Sequence, residues 1–236
     1  MKRMTLMEHF SELRRRILWT FAWFFMATIV GWYFSPLFQE FLTAPLLSVW
    51  PGGAVLYTGL ADGLMIRLSL AVMFGLVLSM PMALWNVWAF VAPGLRRNER
   101  AFIWPIMILS PLLFICGAAF AFYVLVPFAF RFFIELNASS PVPAVVLPAA
   151  RDYLRFAIKM LQVFGIAFQL PLVMVLLNRA GVLPRRAVAR MRRYAIVIIV
   201  IAAAVLTPPD VVSQILLALP MWALFELGLM FMRRDD

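Results

Sequence analysis

The sequence has few of the residues that carry most enzyme chemistry. Among 236 residues there is one cysteine, Cys116, set in apolar sequence, and one histidine, His9, ahead of the first long apolar run. A lone cysteine leaves no disulfide framework and no thiolate metal site to argue from. A lone histidine outside the apolar runs cannot build a buried Ser-His pair or a His-rich metal centre. P-loop, glycine-rich phosphate cradle and HExxH are also missing. The sequence therefore nominates no catalytic residue, no metal site and no cofactor. Acids are scarce as well, with 11 Asp and Glu against 21 Lys and Arg, giving a net charge of +10.

Apolar residues are abundant. The chain is 65% hydrophobic and 15% aromatic with a mean hydropathy of +0.95, far above the roughly 45–50% apolar content of soluble domains. Such a chain is an integral membrane protein, and its basic excess concerns the sidedness of the bilayer rather than nucleic acid. At about 20 apolar residues per span, helices are expected at roughly 17–34, 68–90, 103–130, 153–178, 194–208 and 212–231. The run from Ile17 to Phe34 follows "MKRMTLMEHFSELRRR" and has no small-x-small pattern at its end, so it reads as an uncleaved span.

Six spans put both termini on one side. Arg67, Arg131, Arg151, Arg155 and Lys159 lie near the opposite ends of spans, and the other sixteen of the 21 Lys and Arg share the side of the termini. The positive-inside rule makes that side cytoplasmic. Prolines at 81, 105, 111, 127, 171 and 220 interrupt apolar runs, which predicts kinked, non-parallel helices whose freed carbonyls neighbours must satisfy. The fold class expected is thus all-α, a kinked concave bundle of six transmembrane helices in a single domain, 1–236. Helices five and six are short: only 14 residues, Tyr194 to Thr207, separate Arg193 from Pro208, or about 21 Å against about 30 Å of hydrocarbon. The outer connections at 35–67 and 131–152 are long enough to fold as caps.

Few polar residues are left to carry function. Leu6, Met7, Phe10, Leu13 and Ile17 recur at helical spacing, making an amphipathic lead-in with Glu8, Glu12, Arg15 and Arg16 on the other face. Glu12 can simply pair with Arg16, four residues on. Glu99, in the loop after the second span, can pair with Arg96 or Arg100. Both acids fall on the cytoplasmic face, where they could also receive an incoming guanidinium pair by bidentate contacts. Inside spans, Gln169, Gln214, Glu226 and Lys159 stand out, because buried polar groups are costly unless partnered. Lys159 can snorkel outward beside Arg155, and Glu226, about two turns before Arg233, can be paired in the headgroup zone. Gln169 needs a partner at mid-depth.

The stretches "HFSELRRRIL" (9–18), "TAPL" (43–46), "MPMALWNVWAFVAPGLRRNER" (80–100), "FAFYVLVPFAFRFF" (120–133), "FGIAFQLPLVMVLL" (164–177) and "LTPPDVVSQILLALPMWALFELG" (206–228) together resemble the TatC family. That family is the six-span core of the twin-arginine protein translocase. The matches run in family order over nearly the whole chain. The resemblance implies a non-enzymatic receptor, multi-pass in the bacterial cytoplasmic (inner) membrane, that exports folded proteins. It implies that Glu12 and Glu99 bind the twin arginines of a signal peptide, with Arg14, Phe90, Pro93 and Leu95 shaping the site. Pro45 and Asp210 match outer-face motif positions of structural role. Partners implied are TatA- and TatB-like single-span proteins, twin-arginine signal peptides, the bilayer and further copies of the chain, with energy from the proton-motive force. Gln169 departs from the pattern: many relatives carry glutamate there, and a neutral amide can hydrogen-bond a partner helix but brings no buried charge. Two other classes stay open on the residues alone. A secondary transporter would need a midplane solute site, often in repeated halves, and no repeats are evident. A non-selective insertase or scaffold would bind apolar segments without reading arginines.

Overall fold

A proline inside a helix removes one N–H and leaves the carbonyl four residues earlier without its partner. At Pro36 that carbonyl belongs to Trp32, and the Ser35 hydroxyl donates to it at 2.8 Å. The helix therefore does not end where the first apolar run meets Ser35-Pro36. The computed structural model, which describes residues 6–49, 56–57, 59–91, 103–138, 149–206 and 211–233, has a first helix α1 running over Leu6–Val49. This corrects the expected end of that helix at residue 34: the connection to the next helix begins after α1, and the amphipathic lead-in and the first span are one element.

The remaining helices follow the apolar runs. They are α2, Asp62–Val91; α3, Ile103–Phe120; α4, Val126–Ala138; α5, Ala150–Ala167; α6, Leu170–Arg179; α7, Arg185–Arg190; α8, Arg192–Leu206; and α9, Val211–Phe231. Among the described residues there is no strand, only one bridge between Leu56 and Ala149. A π-helical turn, Ala121–Leu125, joins α3 to α4, with the Val126 N–H donating to the Ala121 carbonyl. Pro127 follows directly, and widening the turn relieves its ring's clash with the preceding carbonyls. The expected fourth span is two helices, α5 and α6, parted by a turn at Phe168 and Gln169 just before Pro171.

Five stretches are long and apolar enough to cross a membrane: Phe10–Leu47, Asp62–Phe90, Trp104–Leu136, Ala150–Arg179 and Gln214–Phe231. The fifth expected span, 194–208, corresponds to α8, whose 15 residues reach about 22 Å at 1.5 Å each. It falls below span length, as the short apolar run requires. Over the most apolar part of the first stretch only 11% is buried within the protein. Its exposed Trp19, Phe21, Phe25, Met26 and Ile29 make sense only with lipid as the solvent.

The chain divides into two compact units, Met1–Glu40 with Ala61–Leu112, and Phe41–Leu60 with Leu113–Asp236. In the first, α1 and α2 approach closely at two glycines. A Cβ at Gly75 would overlap the Thr28 hydroxyl and lie 2.9 Å from the Thr28 nitrogen, and one at Gly31 would lie 2.8 Å from the Ala71 carbonyl oxygen. Small residues permit such backbone contact where apolar side chains gain nothing over lipid. Phe74 fills the space beside them, edge-on to Phe38 at 4.7 Å. Further along, Arg67 donates to Ser35 at 3.3 Å and lies over the Trp32 ring.

In the second unit, Gly117 and Gly165 do the same for α3 and α5, where Phe114 and the Phe164 carbonyl occupy the positions a Cβ would need. The Tyr153 hydroxyl donates to the Leu42 carbonyl. Helix α9 packs on α6 and α8 around Met174, Val188, Ile199, Phe225, Leu229 and Met232. Near the carboxy-terminal end of α9 the helices are tied by polar bonds: Arg185 Nε donates to the Leu229 carbonyl at 3.1 Å, and the Arg233 N–H to Asn178 Oδ1 at 2.7 Å.

Candidate functional site

Helical spacing sets the first acid. Glu12 and Arg16 are one turn apart on α1, and the guanidinium donates to Glu12 Oε1 from Nε at 3.0 Å and from Nη2 at 2.5 Å. The pairing expected from the i, i+4 spacing is therefore present. The Glu12 side chain is only 14% exposed, and its second oxygen, Oε2, is buried without a hydrogen-bond partner among the described residues. Leaving such an acceptor unmade costs about 1–3 kcal/mol or more, so an orphaned carboxylate oxygen is a feature needing a reason. The indole N–H of buried Trp88, on α2, likewise has no partner among the described residues. Both atoms belong to the first unit.

Of the neighbours proposed to shape this site, Arg14 is exposed on α1 and Phe90 is half-buried one residue before the end of α2. Glu99, Pro93 and Leu95 lie outside the described residues, as does Asp210. Pro45 is buried within α1.

The polar residues of the second unit each have their own place. Gln169 is 8% exposed and sits in the turn between α5 and α6, its N–H bonded to the Ile166 carbonyl at 2.9 Å and its carbonyl accepting from Val173 at 3.0 Å. Gln214 Nε2 donates to the Val200 carbonyl at 3.1 Å, joining α9 to α8. Glu226 pairs with Arg192 at 2.8 Å rather than with the nearby Arg233 suggested by sequence; Arg192 opens the neighbouring α8, whereas Arg233 lies beyond the end of α9. Lys159 and Arg155 are both exposed, four residues apart on α5, consistent with outward snorkelling. Among the described residues no group of three His, Cys, Asp or Glu could hold a metal ion.

Sequence reasoning passed over one pair on the α1–α2 contact. Asn86 Nδ2 donates to Thr20 Oγ1 at 2.9 Å, and the Thr20 hydroxyl donates to the Arg16 carbonyl at 2.9 Å. The signal was available, since Asn86 is the one amide in the apolar run "MALWNVWAF".

A family model described as Sec-independent protein translocase protein (TatC) matches residues 8–220. The Sec-independent protein translocase protein TatC of Azotobacter chroococcum mcd 1 is 38% identical over 97% of this chain and 89% of its own. That of Escherichia coli (strain K12) is 36% identical over 97% and 88%, and that of Desulforapulum autotrophicum 34% identical over 94% and 82%. A crystal structure of the twin arginine translocase receptor TatC in DDM matches with a TM-score of 0.88 at 31% identity, covering 96% of this chain and all of that one.

Proposed function

Because this chain belongs to the TatC family of Sec-independent protein translocase proteins, a membrane transport family, we propose that it is the signal-peptide receptor and core subunit of a twin-arginine translocase. In this reading Glu12 and Glu99 receive the two arginines of a cargo's signal, and Arg14, Phe90, Pro93 and Leu95 line the approach. The observation that carries it is the Glu12 carboxylate: one oxygen is held by Arg16, and the other is buried and unpartnered among the described residues. Arg16 thereby orients the group and leaves one acceptor for an incoming guanidinium. A guanidinium brings several N–H donors in a rigid planar fork to that oxygen, which the point charge of an ammonium does not reproduce.

The reading extends to the rest of the molecule. Six spans with both termini in the cytoplasm follow from the basic residues, with α8 crossing a bilayer thinned around it. The chain sits in the bacterial cytoplasmic membrane as a kinked, concave bundle, and Pro45 and Asp210 support its outer face. TatA- and TatB-like single-span proteins meet it at intramembrane polar groups, for which Gln169, Gln214 and Glu226 are the candidates. Folded cargo then crosses at the expense of the proton-motive force, and no covalent step is needed.

The test is binding of a fluorescent signal peptide to the purified chain, comparing "RR" with "KK" peptides and wild type with Glu12→Ala/Glu99→Ala. Tight binding of "RR" alone, lost in the double variant, supports the receptor reading. Equal binding of both peptides, or binding that survives the double variant, overturns it.

A further inference from the structure

Glu12, Arg16 and Thr20 lie four residues apart on α1, so they share a face. A chain of contacts runs along that face and across to α2. Arg16 holds Glu12 Oε1, the Thr20 hydroxyl donates to the Arg16 carbonyl, and Asn86 Nδ2 donates to Thr20 Oγ1 at 2.9 Å. Thr20 can serve both bonds because its one proton goes to the carbonyl and its lone pairs remain for the amide. The bridge lies about 12 Å from Glu12 along α1 at about 1.5 Å per residue.

α1 turns one stripe toward the protein, with Ala27, Gly31 and Ser35 buried and Arg16, Thr20, Phe24 and Thr28 half-buried. Trp19 (59% exposed), Phe21 (57%), Phe25 (62%) and Met26 (63%) lie on the other side. These exposed side chains do not resist a small roll of the helix, because lipid contacts are equivalent in every direction. The glycine contacts at Gly31 and Gly75 fix how near α1 and α2 come, further from Glu12. Of the two directional side-chain bonds described between α1 and α2, Arg67 to Ser35 also lies further along, and Asn86 to Thr20 is the one near Glu12.

We infer that Asn86 is a positioning residue for signal-peptide recognition: by holding Thr20, it sets the rotation of α1 and so the direction in which Glu12 offers its unpartnered oxygen. This rests on the receptor reading of Glu12. Asn86 itself touches no peptide in this scheme.

A double-mutant cycle tests it, with affinity of the full-length purified protein for the fluorescent "RR" peptide as the readout. Asn86→Leu keeps the volume and removes the donor, and is expected to weaken binding about tenfold, the scale of one lost hydrogen bond. Thr20→Val should do the same from the other partner, without altering α2, while Thr20→Ser restores wild-type binding. In a Glu12→Gln background Asn86→Leu should cause no further loss, which a general loosening of the fold would not predict. Unchanged binding in Asn86→Leu and Thr20→Val, or an equal loss with and without Glu12, overturns the inference. If these outcomes occur while Glu12→Gln by itself still weakens binding measurably, only the role of Asn86 falls. If Glu12→Gln binds normally, the receptor site itself is wrong and the inference goes with it.

Discussion

Arg192 Nη2 lies 2.8 Å from Glu226 Oε2, joining the first turn of α8 to the last turns of α9. The two side chains are 51% and 25% exposed, so the pair is one that water and headgroups can reach. Exposed pairs contribute about 0.2–1 kcal/mol. Arg192→Gln and Glu226→Gln should each lower the melting temperature in detergent by no more than about 4 °C, and the exchanged pair Arg192→Glu/Glu226→Arg should recover most of it. A fall several times larger in either single variant would mean that Glu226 has a further role within the membrane.

The α1–α2 contact at Gly75 should be far less forgiving. A methyl there meets the backbone nitrogen and Cα of Thr28 at 2.9 and 3.0 Å, and backbone cannot step aside as a side-chain end can. Gly75→Ala should destabilise the protein by about 1–3 kcal/mol, seen as a lower yield of folded protein and faster protease cleavage. Gly63→Ala is the control, because a Cβ there meets nothing within 4 Å. Equal behaviour of the two variants would contradict the close approach of these helices.

Gln214 offers a separation of structural from partner effects. Its amide bonds the Val200 carbonyl at 3.1 Å while the side chain remains partly exposed. Gln214→Leu should keep the protein folded, with a stability change below about 1.5 kcal/mol, and should reduce disulfide crosslinking between α9 and a TatA- or TatB-like helix by severalfold. Crosslinking at the wild-type level would remove Gln214 from the partner surface.

Much of the helical plan was legible because lipid imposes a length on apolar runs: the run 212–231 matches α9 within one residue, and 68–90 matches α2 at its end, though α2 begins six residues earlier. The pairing of Glu12 with Arg16 was legible for a similar reason: helical spacing alone makes them neighbours. What sequence could not give was anything dependent on a partner from a distant segment. Glu226 chose Arg192 because α8 lies against α9, a relation no local spacing encodes. The bridge from Asn86 to Thr20 spans 66 residues and announces itself only as a stray amide among apolar residues. Likewise, the passage of α1 through Pro36 depends on a hydroxyl one position earlier, and a proline read by itself suggests an end. Burial of Glu12 is the remaining case, since the surrounding charge makes the acid look solvated until its exposure is seen.

Ser35 and Pro36 carry a consequence for how such a chain can change over generations. The serine is fully buried and donates to Trp32, the carbonyl that the proline deprives of a helical N–H. A lineage that first exchanges the proline restores that N–H, after which the serine is dispensable to Trp32. The opposite order passes through a carbonyl with neither donor, in surroundings where no water can stand in. The two positions therefore form a one-way path: the proline can be lost before the serine, but the serine cannot readily be lost before the proline.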